Sequence, residues 1–164
     1  MFDRLLLALD DSPSGEIAVA FTGALAQRAG ASVHVLHVNE QIVGGNGVTL
    51  RTQDEATRLI GAAVAELVDS GVRHASASFC VSSARGVAAR IVEAAQHRGA
   101  GAIVLGSTRR RRFGRLFAGQ VRERVTRLSA LPVLVAPAPL TVSAMSGAQL
   151  RSTDFEQLAA SLLP

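Results

Sequence analysis

Leu5-Leu6-Leu7-Ala8-Leu9-Asp10-Asp11-Ser12-Pro13 decides the architecture of this chain. The apolar run lacks the polar alternation of a half-exposed strand and is too short for a buried helix. It reads as a strand covered on both faces, as parallel strands are. Asp10-Asp11-Ser12-Pro13 then supplies turn chemistry. Beyond it, Ile17, Val19, Ala20, Phe21, Ala24 and Leu25 recur at helical spacing until Gly30 stops the helix. A buried strand followed by an amphipathic helix is half of a parallel crossover unit.

The same alternation continues outward. Residues 32–38 form a second strand, and 39–51 read as a loop centred on Gly44-Gly45-Asn46-Gly47. Ala56, Leu59, Ile60, Ala63, Val64 and Leu67 mark a second helix that ends near Gly71. Residues 74–81 alternate as a strand, Val87 to Ala95 form a helix closed by Gly99, and 102–105 form a strand. Val121, Val125 and Leu128 mark a fourth helix, and 132–136 a fifth strand. Five strands separated by four helices predict an α/β fold, a five-stranded parallel sheet with helices on both faces. The pattern leaves the doubly wound orders beginning 2-1-3 and 3-2-1 both open. In either, ligands bind beyond the carboxyl ends of strands where the winding reverses. That rule selects residues 10–12, 38–51 and the stretch from Gly106 onward.

Composition narrows the function classes. The longest apolar runs fall far short of the roughly 20 residues a membrane span needs. The N-terminus has no signal-peptide pattern, so a cytoplasmic location is expected. Cys80 is the single cysteine, which excludes an intrachain disulfide, and it reads as a buried inert thiol. His34 and His37 share a strand without metal-site company and read as structural, while His74 and His97 read as surface residues. No nucleophile triad and no metal-ligand spacing is apparent. The net charge is +4, and all 17 basic residues are arginine. Arg109, Arg110, Arg111, Arg112, Arg115, Arg122, Arg124 and Arg127 crowd one stretch, with Glu123 the only acid among them. This local positive field points to an anionic partner. Nucleic acid is disfavoured, because no Trp or Tyr is present to stack bases.

The stretch from Gly106 through Ser107, Arg109 and Gly119 to Val121 is where that anion belongs. A strand ends, a basic loop follows and a helix begins, so loop and helix N–H groups can face one phosphate. Glycine permits close approach and arginine adds charge-assisted hydrogen bonds. No Gly-Lys-Ser/Thr closes the loop, so it is not a Walker A loop.

Gly106, position 109 and Gly119-Gln120 keep a spacing of Gly, two residues, Gly, nine residues, Gly and Ser or Thr. With Leu7 to Ser12, Leu36-His37-Val38, Val121 to Val125 and Leu131 to Val135, this resembles the universal stress protein family over residues 1–138. The resemblance implies an adenine nucleotide alpha hydrolase-like fold of strand order 3-2-1-4-5. It implies that Asp10 meets the adenosine, that Val38 holds the base through its backbone, and that Gly106, Gly119, Gln120 and Val121 line the phosphates. Ser107 and Arg109 belong to the same candidate site. The implied ligand is ATP, with Mg2+ accompanying it, or AMP. The expected function is a nucleotide-binding regulatory module of the stress response, without catalysis beyond weak ATP hydrolysis.

Two departures stand against that pattern. Arg109 replaces the second glycine and Gln120 a small hydroxyl residue. They keep open a module that binds a protein partner on this fold without nucleotide. Asp11 reads as a turn former or helix cap, and Arg110 to Arg112 also read as a solvated loop. Residues 139–164 stand outside the alternation as a linker and a short amphipathic helix bearing Phe155, Leu158, Ala159 and Leu162, with Thr153 and Glu156 as a capping box. The apolar last strand, 132–136, sits at a sheet edge and predicts a homodimer.

Overall fold

A computed structural model describes residues 2–44, 47–49, 52–107 and 118–137. Its elements are β1 (Arg4–Leu9), α1 (Pro13–Ala29), β2 (Ser32–Gly44), β3 (Gly47–Thr49), α2 (Gln53–Asp69), β4 (Ala75–Ser83), α3 (Val87–His97), β5 (Ala102–Leu105), α4 (Ala118–Leu128) and β6 (Val133–Val135). The parallel strands run β4-β2-β1-β5-β6 across the sheet, which is the expected 3-2-1-4-5 order. The predicted tail helix at 139–164 lies outside the described residues.

β1 occupies the middle because it can be buried from both sides. Leu5, Leu7 and Leu9 face α1 and α2, together with Val33, Val35, Ile60 and Leu67. Leu6 faces the other way, with Leu36, Ile91, Ile103 and Val125 under α3 and α4. The crossovers through α1 and α2 carry the chain to one side of β1. The crossover through α3 brings it back to the other side, so the winding reverses between β1 and β5.

Helix boundaries follow local chemistry. Gly30 takes the left-handed conformation, φ 65°, and its N–H satisfies the last carbonyls of α1. A capping box opens α2: Glu55 N–H donates to Thr52 Oγ1, and Thr52 N–H donates to the Glu55 carboxylate.

One sequence expectation is corrected. β2 does not end at Val38; it continues to Gly44 and turns back into β3, with Ile42 opposite Thr49 and Gly44 opposite Gly47. The residues read as a loop are thus largely a short antiparallel hairpin. The glycines that pointed to a loop are equally common at strand ends that pair as a hairpin. β4 follows this extension, pairing with β2 as far as Gln41 opposite Ser83.

The histidines divide as expected. His74 and His97 are exposed. His34 is buried, and its Nδ1 and Nε2 each lie 2.8 Å from a serine hydroxyl of β4, Ser76 and Ser78. Cys80 is half-buried rather than fully buried. Burial raises its thiol pKa; Arg90 opposes the rise and Glu93 adds to it. Cys80 in the folded protein is expected to react with a disulfide reagent at pH 7 at least roughly tenfold more slowly than in urea, because the thiolate is the nucleophile. Equal rates would show the thiol to be unprotected.

Candidate functional site

The carboxyl ends of β1 and β5 meet at the reversal point, beside the stretch of β2 that runs on past them. The last register pairs are Leu9 with His37 and Ala8 with Leu105. Continuing these registers sets Asp10 opposite Val38, one step past Leu9, and opposite Ser107, two steps past Ala8. Three candidate positions far apart in sequence therefore share one rim.

The first turn of α1 braces this rim. Pro at the start of the helix needs no N–H partner, and Ser12 is the N-cap. Ser12 makes no side-chain cap; its N–H donates instead to Asp10 Oδ1 at 3.1 Å, and its hydroxyl donates to the same oxygen. Asp10 thus closes an Asx turn, and the cap expected of Asp11 falls on Ser12. Ser14 is buried, and its hydroxyl donates to the Ser107 carbonyl at 3.0 Å. A Cβ at Gly106 would stand 3.3 Å from the Ser14 carbonyl oxygen, so α1 packs directly on the Gly106 backbone. Ser12 falls in the stretch 10–12 that the sequence selects, whereas Ser14 was missed; its signal was Ser-Pro-Ser placed directly after the strand, at a helix start.

The β2 side is held by His37. This buried ring donates through Nδ1 to the Leu9 carbonyl at 2.9 Å, fastening β2 to β1 where their ladder ends. Ser32 N–H donates to the Asp3 carbonyl, so even-numbered residues of β2 turn their peptides toward β1. Val38 belongs to that set and lies beyond the last register pair. Its peptide is therefore turned toward the β1 side, past the point where β1 ends.

Ser107 is the unusual member. It is 6% exposed, and its hydroxyl has no hydrogen-bond partner among the described residues. Leaving such a group unpaired costs about 1–3 kcal/mol, so the position calls for a polar ligand or water. Gly119 and Gln120 lie in the first turn of α4, where N–H groups lack helical acceptors. Val121 is half-buried and packs on the core beneath α4, so its side chain has a structural role. Arg109 lies outside the described residues, as do Arg110 to Arg112. Among the described residues, no group of three or more His, Cys, Asp or Glu side chains stands ready for a metal, and no helix is long and apolar enough to cross a membrane.

A model of the universal stress protein family matches residues 1–137. The chain belongs to the universal stress protein family. Solved members share its fold. One from Burkholderia pseudomallei is 25% identical, with 84% of this chain and 97% of that chain covered and a TM-score of 0.66. A universal stress protein from Archaeoglobus fulgidus is 26% identical, covering 84% of this chain and 100% of that one, with a TM-score of 0.63. A structure of the universal stress protein from A. fulgidus in complex with dAMP is 26% identical, covering 84% of this chain and 100% of that one, with a TM-score of 0.59. No curated protein matches the sequence. The family assignment covers every described element, β1 through β6.

Proposed function

We propose that this universal stress protein is a regulatory module that binds an adenine nucleotide, ATP or AMP, at the rim where β1 and β5 end beside β2. The observation that carries the reading is Ser107, a buried hydroxyl without a partner among the described residues, at the winding reversal beside the packed backbone of Gly106. The A. fulgidus relative in complex with dAMP supports the same ligand class. In this reading Asp10 meets the ribose, the Val38 carbonyl accepts from the adenine amino group, and Gly106, Ser107, Gly119 and Gln120 donate to phosphate. Arg109 adds positive charge where the family pattern has glycine. Mg2+ would accompany ATP through its phosphates. The chain's residues supply binding and orientation, and no catalytic role is assigned to any of them. The expected place of action is the cytoplasm.

Saturating ATP should raise the melting temperature, since a ligand at 100 times its Kd stabilises the folded state by about 2.7 kcal/mol. Arg109→Gly is expected to change the affinity by about tenfold or more, the scale of one charge-assisted hydrogen bond. Weaker binding assigns Arg109 to the phosphates, and tighter binding makes it an obstruction. No thermal shift at millimolar ATP, in the wild type or in Arg109→Gly, would favour the second reading, a nucleotide-free interaction module on the same fold.

The protein is also expected to be a homodimer through β6. Among the described residues β6 pairs only with β5, and Val135 on β6 is 41% exposed. Pro132 and Pro137 remove donors at both ends and keep the paired segment short. Light scattering at micromolar concentration should give twice the chain mass. A monomer, both for the full chain and for one ending at Pro139, refutes the dimer.

A further inference from the structure

The opposite edge of the sheet is built differently. Among the described residues, β4 pairs only with β2. Val33 N–H donates to the His74 carbonyl, so even-numbered residues of β4 turn their peptides toward β2. The peptide groups of Ala75, Ala77, Phe79, Val81 and Ser83 therefore point outward, in a row. Exposed edges are ordinarily blunted by a charge, a proline, a bulge or short length. β4 has none of these: it runs 9 residues, Ala-Ser-Ala-Ser-Phe-Cys-Val-Ser-Ser, without charge or proline. Its pairing with β2 is continuous from Ala75 to Ser83, without a bulge.

Two features select what pairs there. Arg73 and Arg85 are exposed and bracket the strand two residues before and after it, and no acid lies between them. Arg98, also exposed, adds positive charge on the α3 side, close enough to disfavour protonation of His34, whereas Arg90 is neutralised by Glu93 at 3.0 Å. A second copy is a poor occupant: full antiparallel self-pairing, centred on Phe79, would set Arg73 against Arg85 of the other copy at both ends. Like charges placed opposite each other destabilise a strand pair. The two faces of β4 also differ. Ala75, Ala77 and Phe79 join the apolar layer under α2 and Val81 is 46% exposed, while the other face carries Ser76, Ser78 and Ser82, with Cys80 packed on the layer under α3.

We infer that the outer edge of β4 is a docking strand for an extended, acidic segment of a partner polypeptide, with apolar residues alternating with acidic ones. Main-chain hydrogen bonds to the outward peptides supply affinity; the bracketing arginines select acidic sequences. This site is separate from the nucleotide rim and does not depend on it.

The test uses the full chain and a fluorescein-labelled ten-residue peptide of alternating valine and glutamate, with a valine–lysine peptide as control. Anisotropy should show saturable binding of the acidic peptide alone, weakened by 0.5 M salt. Val81→Pro removes one outward N–H, which an edge strand tolerates. It should lower affinity at least about tenfold while the circular dichroism stays unchanged. The Arg73→Glu/Arg85→Glu double variant, altering only exposed side chains, should reverse the preference to the lysine peptide and serves alone if Val81→Pro fails to fold. Absence of binding at millimolar peptide, equal binding of both peptides, or wild-type affinity in both variants overturns the inference. A full-chain dimer dissolved by Val81→Pro would assign the edge to a second copy and overturn it too. So would binding seen only in a chain ending at Pro139, which assigns the edge to the protein's own C-terminal segment.

Discussion

Acidification from pH 7 to pH 4 is expected to remove about 3 kcal/mol of stability through His34 alone, roughly a 10 °C fall in Tm for a domain of this size. His34 sits at about pKa 4 in the folded protein, below its ordinary 6.5, first because it is buried and second because Arg98 is near. The unfolded chain therefore binds the extra proton between these values and the folded chain does not. The contribution is complete above pH 6.5, is lost as the pH falls toward 4, and changes little below that. His34→Gln keeps an amide that can still meet Ser76 and Ser78 but cannot titrate. Urea melts of both proteins from pH 7 to pH 4 should show the wild type losing stability faster by that amount. Parallel pH profiles would mean that His34 protonates in place without penalty.

Gly106→Val should carry the largest functional effect. The first added carbon already lies 3.3 Å from the Ser14 carbonyl, and the branches beyond it press into the first turn of α1. Relief requires α1 and β5 to separate, which strains the Ser14 to Ser107 hydrogen bond and moves the rim. Overpacking of this kind costs about 1–3 kcal/mol of stability. Nucleotide affinity should fall by about a hundredfold, since several contacts move together and 1.4 kcal/mol is tenfold. Calorimetry on the folded variant reads the affinity, and thermal melting reads the stability. Unchanged affinity would detach Gly106 from the nucleotide.

The sheet was legible because each parallel strand is covered on both faces. Leu5 to Leu9 and Ala102 to Leu105 are continuous apolar runs for that reason, and glycines at 30, 71 and 99 stop the elements before the next strand. The strand order was less legible. Periodicity reports burial and says nothing of which neighbour buries a strand, so the order 3-2-1-4-5 came only as what the resemblance to the universal stress protein family implies. The β2 extension was missed because Gly44 to Gly47 carries the same signal for a loop and for a tight hairpin. Asp10, Val38 and Gly106 could be read as a site because topology places strand ends together. Ser14 and the His34 pair with Ser76 and Ser78 could not, since their partners depend on register across strands far apart in sequence.

A crystal structure of the full chain grown with millimolar ATP or AMP should show adenine against the Val38 backbone, ribose beside Asp10, and a phosphate oxygen accepting a hydrogen bond from the Ser107 hydroxyl. Nucleotide bound elsewhere on the molecule, or a rim in which Ser107 meets only water at that concentration, would contradict this placement.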